Sequence, residues 1–167
     1  MKSVALIGLM GCGKSTIGKL LAQKLNMDFV DIDQKIEEQE GITISEIFAN
    51  KGEAAFREIE TKLLKTFSSS SNLVLATGGG AVQKEENIAT LKENCATIYL
   101  KASPEVLFDR IKDDKSRPLL QNNNPLETLR ELLNKREANY LKADIIVETE
   151  HKSVDEILDE ITKNVKS

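Results

Sequence analysis

The sequence predicts an α/β domain, a parallel sheet with helices on both faces, and three observations carry that expectation. Short apolar runs at 4–7, 28–33, 73–76, 96–100 and 144–147 read as strands. The segments between them repeat apolar residues at helical spacing, and strands alternating with helices pack as parallel sheets with right-handed crossovers. Between the first strand and the first helix lies Gly8-Leu-Met-Gly-Cys-Gly-Lys14-Ser15, which matches G-x-x-x-x-G-K-[ST].

That stretch reads as a phosphate-binding loop. Glycines let the backbone turn tightly and aim N–H groups inward, Lys14 reaches the β/γ-phosphates, and the Ser15 hydroxyl can take one position on Mg²⁺. The helix that follows, with Ile17, Leu20, Leu21 and Leu25 on its stripe, adds its positive end. Cys12 lies inside the loop beside that helix N-terminus, a setting that can activate a thiol, and nucleotide-protected reactivity is expected of it.

With 167 residues and 40% hydrophobic content, one core and one domain over 1–167 are expected. No run approaches the ~18–20 apolar residues of a membrane span, and Lys2 through Cys12 is too short for a lipoprotein leader. A cytoplasmic protein with no membrane association is therefore expected. Cys12 and Cys95 form no C-x-x-C, so neither a zinc site nor a disulfide framework is suggested. A net charge of −4 argues against a nucleic-acid partner. The chain has only five arginines among 23 basic residues, which suggests that Arg is kept where its planar fork matters.

The second strand ends in Asp31-Ile-Asp33, two carboxylates at the strand end where α/β sheets gather ligands. On an extended chain they point the same way. The competing reading makes Asp33 a cap for a helix beginning at Lys35. Thr43-Ile-Ser-Glu46 is a capping box opening a short helix that Lys51-Gly52 closes, and a further helix runs from about Glu53 to Phe67. Phe56, Ile59, Leu63 and Phe67 line its stripe, with Arg57 and Glu60 three apart on a neighbouring face. An exposed pair of that kind contributes only ~0–1 kcal/mol.

The third strand runs into Thr77-Gly78-Gly79-Gly80, where so many glycines point to a ligand or a close neighbour rather than a bare turn. Ser103-Pro104 starts the helix that carries Arg110. The polar segment from about 112 to 124, with Arg117 in it, reads as a mobile lid. In the next helix Leu126, Leu129, Leu133, Arg136 and Tyr140 share one stripe, so Arg136 faces inward and needs an anionic partner, while Arg130 falls on the surface. Ser153-x-x-Glu156 caps the last helix, and His151 before it is read as a solvated loop residue with no role.

From these residues alone the chain is an ATP-dependent phosphotransferase with a small lid; without N-K-x-D or D-x-x-G, it is no GTPase switch. In sequence it also resembles the shikimate kinases over nearly its whole length. The match rests on Gly8 through Thr16, Asp31-Ile-Asp33, Phe56-Arg57-Glu-Ile-Glu60, Thr77-Gly-Gly-Gly80, Arg117-Pro-Leu-Leu120 and Arg136-Glu-x-x-Tyr140.

The resemblance implies a three-layer P-loop kinase fold with strand order 2-3-1-4-5. It also implies transfer of the ATP γ-phosphoryl group to the 3-hydroxyl of shikimate, on the way to chorismate and the aromatic amino acids. By position it puts Asp33, Arg57, Gly79 and Arg136 around shikimate, with a substrate-binding region of about 33–61, Glu60 orienting Arg57, and Gly78 and Gly80 beside Gly79. Gly11, Cys12, Gly13, Lys14, Ser15 and Thr16 would hold ATP, Lys14 and Arg117 clamping its phosphates and Arg110 stacking near adenine. Ser15 would bind Mg²⁺ directly and Asp31 through water; Lys152 stands where relatives can have an adenine-side Arg. Asp33, from a reference pKa near 3.9, would orient the hydroxyl and accept its proton late. A monomer is expected. A gluconate-type kinase or a non-catalytic ATP-binding module are the alternatives, and the first should not need Arg57 and Arg136 converging on a carboxylate.

Overall fold

The computed structural model describes residues 2–113 and 124–166. Its centre is β1 (Ser3–Ile7), flanked by β3 (Leu73–Ala76) and β4 (Cys95–Lys101), with β2 (Asp28–Asp31) and β5 (Ile145–Glu148) at the edges. All pairings are parallel and the order is β2-β3-β1-β4-β5. The expected sheet is thus the observed one. β1 and β3 are buried along their whole length, which is why they read as unbroken apolar runs rather than alternating ones.

Register is what places the chemistry. Asp31 pairs with Ala76, and Ala76 with Leu6, so β2, β3 and β1 end side by side. The residues that follow those ends are Ile32 and Asp33, Thr77 through Gly80, and the loop from Gly8. Three segments far apart in sequence therefore meet at the carboxyl ends of adjacent strands, the position where parallel sheets bind ligands.

The helices begin and end on local signals. α1 (Lys14–Leu25) follows Gly13 in a left-handed conformation with no side chain capping it, so its first N–H groups stay free for an anion. α2 (Ile32–Glu40) starts directly at the end of β2, with Asp31 as its cap: the side chain accepts from Gln34 N–H. Sequence spacing had placed both carboxylates on an extended strand or made Asp33 the cap. Instead Asp31 ends the strand and Asp33 stands in the first helical turn, because the chain changes period between them.

The Thr43–Glu46 capping box opens α3 (Ile44–Ser68), and Gly52, at φ 86° and ψ 167°, kinks it where one helix was expected to end and another to begin. A short 3₁₀ turn (Ala81–Gln83) and α4 (Glu85–Asn94) follow β3. α5 (Pro104–Ile111) has Ser103 as its cap and Pro at its first turn, α6 (Pro125–Tyr140) has Asn124, and α7 (Val154–Lys166) closes the described chain. Arg130 pairs with Glu105 at 2.5 Å and with Glu127 at 3.4 Å on the surface, as expected. The lid expected over about 112–124, with Arg117, falls outside the described residues save for its first two positions and its last. No helix among the described residues is long and apolar enough to cross a membrane.

Candidate active site

Backbone conformation alone explains part of the phosphate loop. Gly8, Gly11 and Gly13 have φ of 148°, 83° and 96°, values a side chain resists. Gly11 is also crowded, since a Cβ there would stand 2.9 Å from Ile111 Cγ2 and 3.0 Å from the Leu107 carbonyl. Lys14 is turned back on the loop it belongs to: Nζ donates to the Gly8 carbonyl at 2.5 Å and to the Leu9 carbonyl at 3.3 Å. The Cys12 thiol points inward and is only 3% exposed, packed within the hydrophobic core. Burial limits the access of a reagent to the sulfur, which works against the reactivity expected of this cysteine, and Lys14 Nζ lies 3.6 Å from it.

Across the loop, Ser15 Oγ donates to Asp31 Oδ2 at 2.8 Å. A hydroxyl and a carboxylate side by side suit a hard cation that keeps several waters and takes its other ligands from phosphates. Among the described residues no group of three or more His, Cys, Asp or Glu side chains gathers as a dedicated metal cage. The donor set thus fits Mg²⁺ delivered with a nucleotide. A cavity of about 400 Å³ joins the loop to Asp31, Asp33, Thr77, Gly79 and Arg110. Met10 and Ile111 line it as well; being apolar, they gave no chemical signal in the sequence.

Beyond the loop, the polar residues of α2, α3 and α6 converge on Gly78–Gly80. Arg57 Nη1 donates to Glu60 Oε1 at 2.9 Å, and Glu60 is completely buried. The pair is therefore no surface ion pair, and Glu60 belongs to the interior face of α3. Arg136 is 8% exposed, inward as its stripe position required. Three buried side-chain atoms among the described residues have no hydrogen-bond partner, Asp33 Oδ1, Glu60 Oε2 and Arg136 Nε, and all three belong to this cluster.

The glycine triplet accommodates them by size. A Cβ on Gly78 would lie 2.8 Å from Asp33 Oδ1 and 3.0 Å from Glu60 Oε2; one on Gly79, 3.3 Å from Arg136 Nη1; one on Gly80, 2.4 Å from Arg57 Nη2. None of the three has a positive φ, so room rather than conformation demands glycine here.

Burial raises the Asp33 carboxyl pKa above its ordinary 3.8, and the Asp31 charge adds to this, against Lys14 and Arg57 which lower it. Burial likewise raises Glu60, opposed first by Arg57. The free-peptide value used above for Asp33 understates its basicity in the fold. On the far side of the loop, Arg110 Nη1 donates to the Gly11 carbonyl at 3.2 Å, and Nη2 to Thr149 Oγ1 at 3.4 Å. Lys152 is engaged by Glu160 at 2.9 Å, and His151 is exposed in its loop with φ 61°.

A phosphate loop on a β2-β3-β1-β4-β5 sheet, next to a pocket of buried carboxylates and guanidiniums, defines a P-loop kinase of a small polar acceptor. The chain belongs to the shikimate kinase family, whose family model matches residues 10–166. It is similar to the shikimate kinase of Thermodesulfovibrio yellowstonii, 46% identical over 98% of this chain and 94% of that one, and to that of Persephonella marina, 46% identical over 99% and 100%. A solved shikimate kinase from Acinetobacter baumannii, in complex with shikimate, superposes with a TM-score of 0.95 at 38% identity, covering 99% of this chain and 93% of that one.

Two outcomes follow from the cluster. Below pH 3.8 the Asp33 carboxyl is neutral folded or unfolded; as pH rises through its raised folded value, a buried charge accumulates and stability falls. Asp33→Asn should therefore raise the melting temperature more at pH 7.5 than at pH 4, and a gain that shrinks with rising pH would refute the sign. Gly80→Ala should fold, since its φ of −98° suits alanine, yet displace the Arg57 guanidinium and lower phosphotransfer kcat/KM at least tenfold, ~1.4 kcal/mol. Wild-type kinetics in that variant would show that Arg57 has room to spare.

Proposed function

We propose that the chain transfers the γ-phosphoryl group of ATP to the 3-hydroxyl of shikimate, releasing ADP and shikimate 3-phosphate for the route to chorismate and the aromatic amino acids. The observation that carries this reading is the approach of Arg57 and Arg136 to adjacent glycines of one triplet, beside buried Asp33. Two guanidiniums suit a single carboxylate, and a carboxylate suits a hydroxyl. A polyol acceptor without a carboxylate would not need both. We read the chain as one domain acting as a cytoplasmic monomer.

In this reading Arg57, held by Glu60, and Arg136 grip the acceptor carboxylate, while Gly78, Gly79 and Gly80 let the ring approach the backbone. Gly11 through Thr16 wrap the phosphates, with Lys14 exchanging its carbonyl partners for phosphate oxygens, and Arg110 lies on the adenine side. Arg117, outside the described residues, completes the phosphate clamp. Ser15 and, through water, Asp31 would hold Mg²⁺, which would supply charge neutralisation at the phosphates.

Phosphoryl transfer is loose, so alignment and charge clamping dominate over activation of the nucleophile. Asp33 accepts a hydrogen bond from the acceptor hydroxyl and receives its proton late. Burial helps by making this carboxylate more basic than a solvated one, though still far from matching an alcohol.

A coupled assay of ADP release tests the reading directly: shikimate should stimulate release and gluconate should not. Equal rates with and without shikimate would sink it. The two carboxylates should also divide the work. Asp31→Asn keeps a good helix cap, so its expected defect is a raised Mg²⁺ requirement that excess Mg²⁺ partly recovers, whereas Asp33→Asn should lose kcat at any Mg²⁺ concentration. Rate titrations against Mg²⁺ for both variants decide it, and identical responses would overturn the division.

A further inference from the structure

Three consecutive glycines have no side chains with which to choose a conformation, so whatever fixes their carbonyls fixes the loop. Two of the three are held locally: the Gly78 carbonyl accepts from Ala81 N–H at 3.2 Å, and the Gly80 carbonyl from Gln83 N–H at 3.2 Å. The carbonyl of Gly79 has no such neighbour. It accepts a hydrogen bond from the hydroxyl of Tyr140, the last residue of α6, from 61 positions away.

Tyr140 is completely buried, and its ring packs on Tyr99 with centroids 5.0 Å apart. Burial raises its phenol pKa, opposed by the charge of Arg136 and by a hydrogen bond from that side chain, and the hydroxyl stays a donor. One turn earlier on the same helix stands Arg136, whose Nη1 faces the Cα of that same Gly79. The neighbouring Asn139 donates to the Val82 carbonyl at 2.8 Å, so the end of α6 grips the loop twice. No cis peptide occurs among the described residues, and in a trans peptide the carbonyl and the following N–H point to opposite sides. A carbonyl of Gly79 turned to Tyr140 thus aims the Gly80 N–H away from α6.

We infer that Tyr140 is a positioning residue for the acceptor: its hydroxyl sets the Gly79–Gly80 peptide plane and locks the glycine triplet to the helix that delivers Arg136. The inference rests on the function proposed above, in which these glycines and Arg136 receive shikimate. Loop and arginine are thereby set by one rigid element, and acceptor affinity depends on a hydroxyl that never touches the acceptor.

The test is Tyr140→Phe, which keeps the ring and its packing and removes the hydroxyl that joins the Gly79 carbonyl to Arg136, alongside Tyr99→Phe, which removes the neighbouring phenol that serves Glu137. Wild-type shikimate-stimulated ADP release is measured first; its absence defeats the proposed function itself. With the wild type active, Tyr140→Phe should raise the shikimate KM about fivefold or more while the ATP KM stays within about twofold, and Tyr99→Phe should leave both unchanged. Equal shifts in both KM values, equal shifts in the two variants, or no shift would overturn the inference. Should Tyr140→Phe not fold, the wild-type protein decides: the Gly80 amide resonance should move on saturation with shikimate, and an unmoved resonance overturns the proposal.

Discussion

The site depends on a steric constraint at the end of β3. A Cβ on Gly78 or Gly80 would collide with charged side chains of α2 and α3, and one on Gly79 would crowd Arg136 of α6. Register brings the carboxyl ends of β2, β3 and β1 together, but this alone would only bring backbones together. Because the backbone there is bare, charged groups from three helices can close on it while remaining buried. The same bareness costs conformational entropy, which the structure offsets with a hydrogen bond to each of the carbonyls from Gly78 to Val82.

Charge is the second consequence. Asp33 and Glu60 offer two buried carboxyl groups, and Arg57 and Arg136 two guanidiniums, but only Arg57 and Glu60 are paired directly. Burying polar atoms of Asp33, Glu60 and Arg136 without partners is unfavourable, and the raised carboxyl pKa values are the sign of it. A structure selected for stability alone would replace them with apolar groups of similar volume. Their retention makes sense if the unpaired faces are complementary to an anionic, hydroxylated acceptor. The phosphate loop shows the same economy, since Lys14 takes the loop's own carbonyls as partners.

Local and periodic features were legible in the sequence: the five strands, the capping boxes at Thr43 and Ser153, the Gly52 break, and Arg136 on an apolar stripe. Such features depend on neighbours a few residues away, and sequence reports those directly. Asp33 was misplaced because the change from strand to helix falls between it and Asp31, so a period-two argument was carried one residue too far. Cys12 was judged by its helix end, although which way a loop side chain points depends on the β4 and α5 residues packed against that loop.

Glu60 shows where more could have been read. The stripe drawn through Phe56, Ile59, Leu63 and Phe67 left it to one side, whereas the deeply buried line of α3 is Phe56, Glu60, Leu64 and Ser68, spaced by four. A helix of 3.6 residues per turn allows either line, and the apolar residues alone favour the first. What decides between them is the neighbour, since the end of β3 offers α3 a backbone without side chains. A carboxylate reaches that backbone and a leucine gains nothing there. The polar residue on an inward face was thus visible on α6, where the flanking leucines fix the stripe, and hidden on α3, where only the glycines of another segment fix it.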